Sequence, residues 1–528
     1  MMRPNDRSSR EFQRVLLHCL VLIMLVGLAS FASATEAPAL FQQHCATCHG
    51  ANRVGAMGPA LLPESLSRLR KAEARQVIAE GREATQMPSF SGVLAAAEID
   101  ALADWIYTPV RPAPSWTIDD IRASRIEQHA PGTLPDKPVF DADPMNLFLV
   151  VEAGDHHVSV LDGDRMERIH RFPSRFALHG GPKFSPDGRY VFFGSRDGWV
   201  TKYDLWNLEV VSEVRAGINT RNVAVSSDGK VVAVANYLPQ TLVLFDADLQ
   251  LIKVISATNL KGDVPSRVSA VYDAAPRKSF VAAMKDIPEI WEISYDKDAK
   301  PIFDGYVHDY KMGEGIAQEG YLNPRRTVLE APLDDFFFNQ KYDTVMGASR
   351  EGKGQVVNLD VRRKIADLDI PGMPHLGSGI TWDWHGHRVL GTPNLREGVI
   401  SIIDLETWKT IKTIPTLGPG FFMRSHEDSP YAWTDSMMSP TGKDTLQVID
   451  KQTLEVVARL RPEPGKTLAH VEFDRYGRYA IASLWEKDGA LIFYDAKTLK
   501  EIKRLPASKP VGKYNLYNKI NRSEGTSH

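Results

Sequence analysis

The clearest chemistry in the chain belongs to the five residues from Cys45 to His49, which read Cys-Ala-Thr-Cys-His. Two thiols at this spacing can add to the two vinyl groups of a haem, and the adjacent imidazole is then held against the iron. The motif predicts one covalent haem c, with Cys45 and Cys48 as anchors and His49 as the proximal iron ligand. A zinc site or a redox-active cysteine pair is the alternative use of such a motif, and the export signal described below argues against it.

A second group of candidates lies much further along the chain, in glycine-rich turns. These turns carry His179 before Gly180-Gly181, His375 within Pro374 to Gly379, and His426 after Arg424-Ser425. A turn lets an imidazole project into a cavity. Taken singly, each of these histidines is also explained as a surface or hydrogen-bonded side chain, so the case depends on whether the fold brings them together.

The elements that must position these residues belong to a chain long enough for more than one domain. It has 528 residues, 43% hydrophobic and 24% charged, which is ordinary for globular protein. The formal net charge of -3 argues against binding nucleic acid through an overall basic face. Small molecules and proteins are therefore the expected partners.

The N-terminus has the pattern of a secretory signal. Four arginines precede an uncharged apolar run over 15–29, and Ala32-Ser33-Ala34 supplies a small-residue cleavage site. We predict a signal peptide over residues 1–34, export to the periplasm and no membrane span after cleavage. A retained membrane anchor is the alternative. Cys19 lies within the signal, which leaves only the two haem-binding cysteines in the mature protein and no disulfide.

The segment from 35 to 108 predicts a small helical domain. Its last stretch repeats Ile99, Leu102 and Ile106 at helical spacing. The unit resembles a small class I cytochrome c. In that class a methionine followed by proline is the sixth iron ligand, so Met87 is preferred here over Met57 and His44. The proline-containing residues 109–143 predict an extended linker.

From residue 144 to 520 the sequence predicts a repeat of β-strands. Turns such as Ser185-Pro186-Asp187-Gly188 precede apolar strands that end in an acidic residue, at Asp162, Asp204, Asp246, Glu292, Asp360, Asp404, Asp450 and Asp495. A period of 40 to 50 residues is typical of propeller blades. The expected fold is therefore a small all-α class I cytochrome c domain followed by an all-β eight-bladed propeller, with a loop insertion near 306–333 and a tail over 521–528. Seven blades is the alternative, because Glu292 is the weakest marker.

A class I cytochrome c joined to such a propeller resembles cytochrome cd1 nitrite reductase and its relatives, which hold a non-covalent haem d1. The segment Phe176 to His179 resembles the one that supplies the proximal haem d1 ligand, and Pro374-His375 and Arg424-Ser425-His426 resemble those that carry the distal histidines. Within that superfamily, His470 and the ending 509–520 are similar to the dihydro-haem d1 dehydrogenases, which convert a propionate of the tetrapyrrole to an acrylate.

This resemblance implies roles for individual residues. His179 would ligate the d1 iron, which would pass electrons singly to haem c, and His375 would ligate or face that iron from the distal side. His470 would be the general base, assisted by Tyr514. Haem d1 carries several carboxylates, and burying them requires fixed cations. Arg196, Arg221 and Lys285 are the candidates, with ordinary surface ion pairs as the alternative, and His426 is a further expected cofactor-binding residue.

Cytochrome cd1 nitrite reductase and a non-catalytic haem d1 carrier remain the alternative functions. The expected partners are the tetrapyrrole substrate and a redox protein that accepts electrons, with nitrite reductase or other haem d1 assembly proteins as further ones.

Overall fold

The computed structural model describes residues 37–56, 58–67, 69–82, 87–303, 318–349, 352 and 354–522. The predicted signal peptide, Met57 and the last six residues lie outside this part. The chain divides into two compact units, Met1–Pro114 and Ser115–His528. None of the helices in the described residues is long and apolar enough to cross a membrane.

The first unit is helical, as predicted. Residues 37–44 form a helix, followed by α1 (Ala46–His49), α2 (Lys71–Glu80) and α3 (Ala96–Ile106). The apolar face predicted for α3 is buried and packs with Phe41 in one core. Glu98 helps the helix to begin, because its carboxylate accepts a hydrogen bond from the N–H of Ala95 at 2.7 Å.

The second unit contains eight antiparallel sheets arranged as blades. Blades 1 to 4, each from its first strand outward, are as follows: β33 (Pro510–Asn515), β2 (Leu147–Glu152), β3 (His157–Asp162) and β4 (Glu167–Pro173); β5 (Lys183–Phe184), β6 (Tyr190–Gly194), β7 (Trp199–Asp204) and β8 (Glu209–Arg215); β9 (Asn219–Val225), β10 (Val231–Leu238), β11 (Thr241–Asp246) and β12 (Leu251–Ser256); β13 (Val268–Ala274), β14 (Ser279–Met284), β15 (Glu289–Ser294) and β16 (Pro324–Val328).

Blades 5 to 8 follow the same order: β17 (Asp335–Phe338), β18 (Thr344–Ala348), β19 (Gly354–Asn358) and β20 (Arg363–Leu368); β21 (Ile380–Trp384), β22 (His387–Pro393), β23 (Val399–Asp404) and β24 (Thr410–Pro415); β25 (Met423–Ser425), β26 (Tyr431–Thr434), β27 (Leu446–Asp450) and β28 (Glu455–Leu460); β29 (Leu468–Phe473), β30 (Tyr479–Leu484), β31 (Gly489–Asp495) and β32 (Glu501–Ala507). The first strands of neighbouring blades contact each other, for example β9 with β13 and β25 with β29. They therefore line the central channel, and the prediction of eight blades is confirmed.

The acidic strand ends that revealed the repeat have a local structural reason. Asp404 ends β23, and its Oδ1 accepts hydrogen bonds of 2.8 Å from the N–H groups of both Glu406 and Thr407. Such a side chain closes the turn into the last strand of a blade. Two of the eight markers were wrong in detail: Asn358, not Asp360, closes this turn in blade 5, and Glu292 lies within β15 and pairs with Arg277.

The ring is closed by the C-terminal strand. β33 is the first strand of blade 1 and pairs with β2, so that Leu149 lies opposite Tyr514. Because β33 pairs with β2, the inner edge of blade 1 is not left unpaired. This pairing also brings Tyr514 beside blade 8, the last blade along the chain. After β33 the chain turns into α5 (Leu516–Asn521), whose N-terminus is capped by the Asn515 side chain.

Part of the region interpreted as a linker packs against the propeller. Residues 118–127 contain α4 (Ile118–Ala123) and β1 (Ile126–Glu127). β1 adds a fifth strand to blade 2 by pairing with β8, because the outer edge of a blade still offers unpaired backbone groups. Trp116 donates a hydrogen bond to the carbonyl of Arg215 at 2.9 Å. The long connection between β15 and β16 lies where the insertion was predicted, and residues 304–317 within it are outside the described part.

Candidate functional site

In the helical unit, Cys45, Cys48 and His49 lie on one helical turn. Cys45 precedes α1, and its carbonyl accepts the N–H of Cys48 at 3.2 Å and that of His49 at 2.9 Å. Both thiols are free and partly buried. Burial and the neighbouring Cys48 raise the pKa of Cys45 to about 11. Two adjacent thiols beside a buried imidazole fit the covalent haem c predicted from the motif.

His49 is oriented as an iron ligand. Its Nδ1 lies 2.8 Å from the carbonyl oxygen of Pro59, so Nδ1 carries the proton and Nε2 keeps the lone pair that iron requires. A side chain at Gly58 would come within 2.9 Å of the imidazole. The sixth ligand stays a prediction: Met87 is partly buried and His44 packs against Phe90.

In the propeller, His179 lies in the turn before β5 and is held by Arg221 of β9. Its Nδ1 lies 2.7 Å from the carbonyl oxygen of Arg221, and Nη1 of the same arginine lies 2.9 Å from Nδ1 and 2.6 Å from Nε2. The carbonyl contact favours the proton on Nδ1, so the lone pair lies on Nε2, where it accepts a hydrogen bond from Arg221 that iron ligation would replace. The turn requires glycine at 180, where φ is +81° and a Cβ would lie 2.6 Å from Cβ of Asn222.

Arg196 lies next to this pair. It is in the turn between β6 and β7, where its N–H bonds to the carbonyl of Ala177 and its carbonyl accepts the N–H of Thr220. These two partners flank His179 and Arg221 in sequence. The structure thus brings together three predicted residues from blades 2 and 3.

His375 lies before β21, and its surroundings connect it to the same end of the channel. It is buried, and its Nδ1 lies 2.7 Å from the carbonyl oxygen of Phe421, an arrangement that again leaves Nε2 as the basic nitrogen. Burial lowers its pKa; the charge of Asp335 opposes this effect, and the charges of Arg221 and Arg424 add to it. Because Arg221 acts on His375 and bonds to His179, both histidines lie near one arginine.

His470 and Tyr514 form a second buried pair, on adjacent first strands. Their rings are 5.4 Å apart, and Phe422 packs 4.6 Å from the imidazole. The N–H of Lys513 lies 3.5 Å from Nδ1 of His470, a long contact that favours Nδ1 as the basic nitrogen. Burial raises the pKa of Tyr514 to about 12. A side chain at Gly512 would meet the Tyr514 hydroxyl at 2.4 Å.

Two predicted cofactor-binding residues have different surroundings. Lys285 follows β14 and forms an ion pair with Asp334. His426 follows the three-residue strand β25 and contacts Arg475 and Arg522. It lies at the opposite end of the strand from Phe421, so the structure does not bring it together with the other histidines.

A group of charged side chains, which the sequence did not reveal, lines the channel near these residues; three of its members are buried and two are half-buried. Its members come from four first strands and from α5: Lys183, Arg424, Glu472, Lys513 and Lys519. Burial lowers the pKa of each basic member. The pKa of Lys183 falls to about 7, with the charge of Arg424 as a second cause, and those of Lys513 and Lys519 fall well below their usual value. Four basic side chains face one carboxylate in this group. Such a site suits a ligand that carries carboxylates.

The comparisons with known proteins agree with this geometry. Residues 142–519 match the family described as Cytochrome D1 heme domain, and residues 32–106 match that described as cytochrome C oxidase, cbb3-type, subunit III. The chain belongs to the Cytochrome D1 heme domain family. The fold and the family expected from the sequence are thereby confirmed.

Among its relatives in the Cytochrome D1 heme domain family is a dihydro-heme d1 dehydrogenase from Pseudomonas aeruginosa. The two are 56% identical over 96% of this chain and 99% of the relative. A solved structure of the dihydro-heme d1 dehydrogenase NirN in complex with DHE has 55% identity and a TM-score of 0.85, over 92% of this chain and 99% of the other. A nitrite reductase from Stutzerimonas stutzeri is 26% identical over 94% of this chain and 97% of its own.

The residues missed by sequence reasoning carried a weak signal. The first strand of a propeller blade is expected to be apolar where it packs against its neighbours. β29, however, reads Leu-Ala-His-Val-Glu-Phe. Glu472 is buried in it, and Arg424 and Lys513 are buried in β25 and β33. A charged residue in a short buried strand is costly unless it serves a ligand or a partner. That pattern, applied to every first strand, would have found the cluster.

Proposed function

We propose that the protein is a dihydro-haem d1 dehydrogenase, which oxidises one propionate side chain of dihydro-haem d1 to the acrylate of haem d1. The observation that carries the proposal is the buried pair His470 and Tyr514, close to the channel cations and to the two histidines His179 and His375. The relative that shares 56% identity over almost the whole chain bears this activity in its name.

The reaction converts a CH₂–CH₂ unit into a CH=CH unit. Two C–H bonds are broken, and two protons and two electrons leave the substrate. The protein must therefore supply a base at the propionate carbon and a path for the electrons. His470 provides the base for one proton: its Nδ1 takes it up from the substrate carbon beside the carboxylate, and the second proton leaves to solvent water.

Tyr514 acts as a hydrogen-bond donor in this proposal. Its raised pKa keeps the hydroxyl protonated at neutral pH, so it positions the substrate carboxylate and does not serve as a phenolate base. Arg424 and Lys183 neutralise the carboxylates of the tetrapyrrole, which would otherwise be costly to bury. His179 and His375 offer Nε2 to the iron of the substrate, and Arg196 and Arg221 remain proposed cofactor-binding residues.

In the helical unit, Cys45, Cys48 and His49 would hold haem c, with Met87 as its proposed sixth ligand. Haem c would accept one electron at a time, so the formation of each double bond requires two successive electron transfers. The electrons then leave to a redox partner protein, with nitrite reductase and other haem d1 assembly proteins as further partners. We place the protein in the periplasm, where haem c is attached and where the signal peptide would direct it.

The test uses the purified protein with its covalent haem c. Dihydro-haem d1 is added with a one-electron oxidant such as ferricyanide, and the extracted pigment is analysed by chromatography and mass spectrometry. We expect a product that is lighter by two hydrogens, together with transient appearance of the absorption spectrum of reduced haem c.

The His470→Ala variant should still bind the substrate, while its turnover falls by roughly 10²- to 10⁴-fold, the usual contribution of a positioned base. Full conversion by the folded variant would overturn the role of His470. Nitrite reduction by the unmodified protein without any conversion of dihydro-haem d1 would instead assign it as a nitrite reductase. Binding without reduction of haem c would assign it as a carrier.

A further inference from the structure

One buried carboxylate connects the two functional histidines of blades 6 and 8. Asp435 directly follows β26 and is 2% exposed. Its Oδ1 accepts hydrogen bonds from the N–H of Phe421 at 2.8 Å and of Met437 at 3.4 Å. Its Oδ2 accepts from the N–H of Phe422 at 3.2 Å and of His470 at 3.3 Å. A single side chain thus fixes three segments of backbone.

The contact with His470 explains an irregularity in β29. The pairing of β29 with β30 shifts register between Ala469 and Val471, so His470 is the extra residue of a β-bulge. Its φ is +44°, in the left-handed region that a residue other than glycine seldom adopts. Because a bulge removes the extra residue from the sheet ladder and turns its side chain, the N–H of His470 needs another partner. Asp435 is that partner.

The other side of the same bulge is held by Lys513. This lysine is fully buried, and its Nζ donates hydrogen bonds of 2.6 Å to the carbonyl of His470 and to Oγ of Ser483. Burial lowers the pKa of Lys513 well below its usual value, and the charges of Glu472 and Asp435 oppose this effect. The backbone of His470 is therefore bracketed by a carboxylate at its N–H and by an amine at its C=O.

The contact with Phe421 carries the effect of Asp435 to His375. Phe421 gives its N–H to Asp435 and its carbonyl to Nδ1 of His375. Its ring also packs 4.2 Å from that imidazole. Any shift of the Phe421 peptide therefore moves the hydrogen bond at Nδ1 of His375, and with it the direction of Nε2.

We propose that Asp435 is a positioning residue that holds His470 and His375 at fixed positions relative to each other, and that Lys513 holds His470 alone. The proposal rests on the function proposed above and deepens it: the proton acceptor and the iron-facing imidazole are aligned by one carboxylate. Neither Asp435 nor Lys513 needs to touch the substrate for this role.

The main variant is Asp435→Asn, which keeps the shape and removes one acceptor. The NH₂ group of the asparagine takes the place of one carboxylate oxygen and cannot accept a hydrogen bond. The two backbone N–H groups that this oxygen accepted from therefore lose their partner. The companion variant is Lys513→Met, which releases the carbonyl of His470 without touching Phe421. Asp474→Asn is the matched control: Asp474 is fully buried at the far end of β29, where it bonds to Arg478 and Tyr479.

The three variants, with haem c attached, are compared in kcat and KM for conversion of dihydro-haem d1 and in the absorption and EPR spectra of the bound tetrapyrrole. We expect Asp435→Asn to lower kcat by about 10- to 100-fold, the scale of a small misplacement of a reacting group, with a smaller change in KM and an altered tetrapyrrole spectrum. Lys513→Met should lower kcat and leave that spectrum unchanged. Asp474→Asn should keep both per folded molecule, with a lower melting temperature.

A folded Asp435→Asn protein with the unmodified kcat and spectrum would overturn the proposal. Should that variant fail to fold, Asp435→Glu replaces it: this change keeps the charge and moves the oxygens by one methylene group, and it is expected to alter kcat and the spectrum together. An unchanged kcat in Asp435→Glu would likewise refute the alignment. Failure of the unmodified protein to convert dihydro-haem d1 is a separate result, which refutes the proposed function.

Discussion

Replacing Lys183 by methionine should stabilise the ligand-free protein against unfolding and weaken its binding of the tetrapyrrole. The Nζ of Lys183 lies in the channel and donates a hydrogen bond to the carbonyl of Gly180 at 2.8 Å. Burial, with the charge of Arg424 as a second cause, lowers its pKa from 10.5 to about 7. The charged form is therefore disfavoured in the folded state. Methionine has a similar length and removes the charge.

The magnitude follows from the shift in pKa. The pKa of Lys183 falls from 10.5 to about 7. At about 1.4 kcal/mol per pKa unit, the fully charged form therefore lowers the free energy of unfolding by about 5 kcal/mol. At pH 7 part of the folded population has lost the proton, which reduces this cost to about 4 kcal/mol. The lost hydrogen bond offsets about 1 kcal/mol. We expect a net gain of about 3 kcal/mol, or about 3 °C in melting temperature for a unit of some 400 residues.

The pH dependence gives the sign of the effect. The folded pKa of Lys183 lies below the unfolded one, so the unfolded chain binds more protons between pH 7 and pH 10.5 and the stability of the unmodified protein rises with pH in that window. Lys183→Met lacks this rise. The difference in melting temperature should therefore be largest at or below pH 7 and close to zero near pH 10, where the remaining charge cost is about as large as the lost hydrogen bond.

The assay is thermal unfolding of the ligand-free protein between pH 6 and pH 10, followed by titration with the tetrapyrrole. The variant should bind it about 10- to 100-fold more weakly, the loss of one charged hydrogen bond of about 1.5–3 kcal/mol. A variant that melts below the unmodified protein at pH 7, or a difference that persists at pH 10, would refute the reasoning from burial.

Three further predictions concern the other sites. His179→Ala should lower tetrapyrrole occupancy and leave the haem c spectrum intact, because the two sites belong to different units; unchanged occupancy with an unchanged tetrapyrrole spectrum would assign the proximal role elsewhere. Tyr514→Phe should reduce turnover by about 10-fold and keep the pH profile between 6 and 10, since a pKa of about 12 keeps the hydroxyl protonated throughout; the loss of an alkaline limb below pH 10 would contradict this. Met87→Ala should retain covalent haem and lose the methionine-to-iron absorption band; a band that persists points to Met57, whereas His44 predicts no such band in the unmodified protein.

The repeat and the haem motif were predictable because both rest on local chemistry. An aspartate that closes a turn two or three residues ahead, as Asp404 does, leaves the same mark in each blade, whatever the rest of the chain does. The thiols and imidazole at 45–49 are likewise fixed by the shape of the haem. Even the two misplaced markers did not change the number of blades, since the period survives a shift of a few residues.

The convergence of the propeller residues was harder to predict, because it depends on which end of a first strand a residue occupies. Arg424 and His426 are two residues apart, and the segment was expected to carry a distal histidine. Only Arg424 faces the end of the channel near His375, since β25 ends at Ser425 and carries His426 beyond it. Lys285 was similarly ambiguous: its partner Asp334 is 49 residues away, on the next blade.

The partner of Nδ1 distinguishes the four histidines: it is a carbonyl oxygen in three of them and an N–H group in the fourth. His49, His179 and His375 each direct Nδ1 at a backbone carbonyl, which leaves Nε2 as a lone-pair donor, as an iron ligand requires. His470 receives a backbone N–H at Nδ1 instead, and its main chain is bracketed by Asp435 and Lys513. These hydrogen bonds support the proposed division of roles, in which His49, His179 and His375 present Nε2 to iron and His470 accepts a proton from the tetrapyrrole side chain.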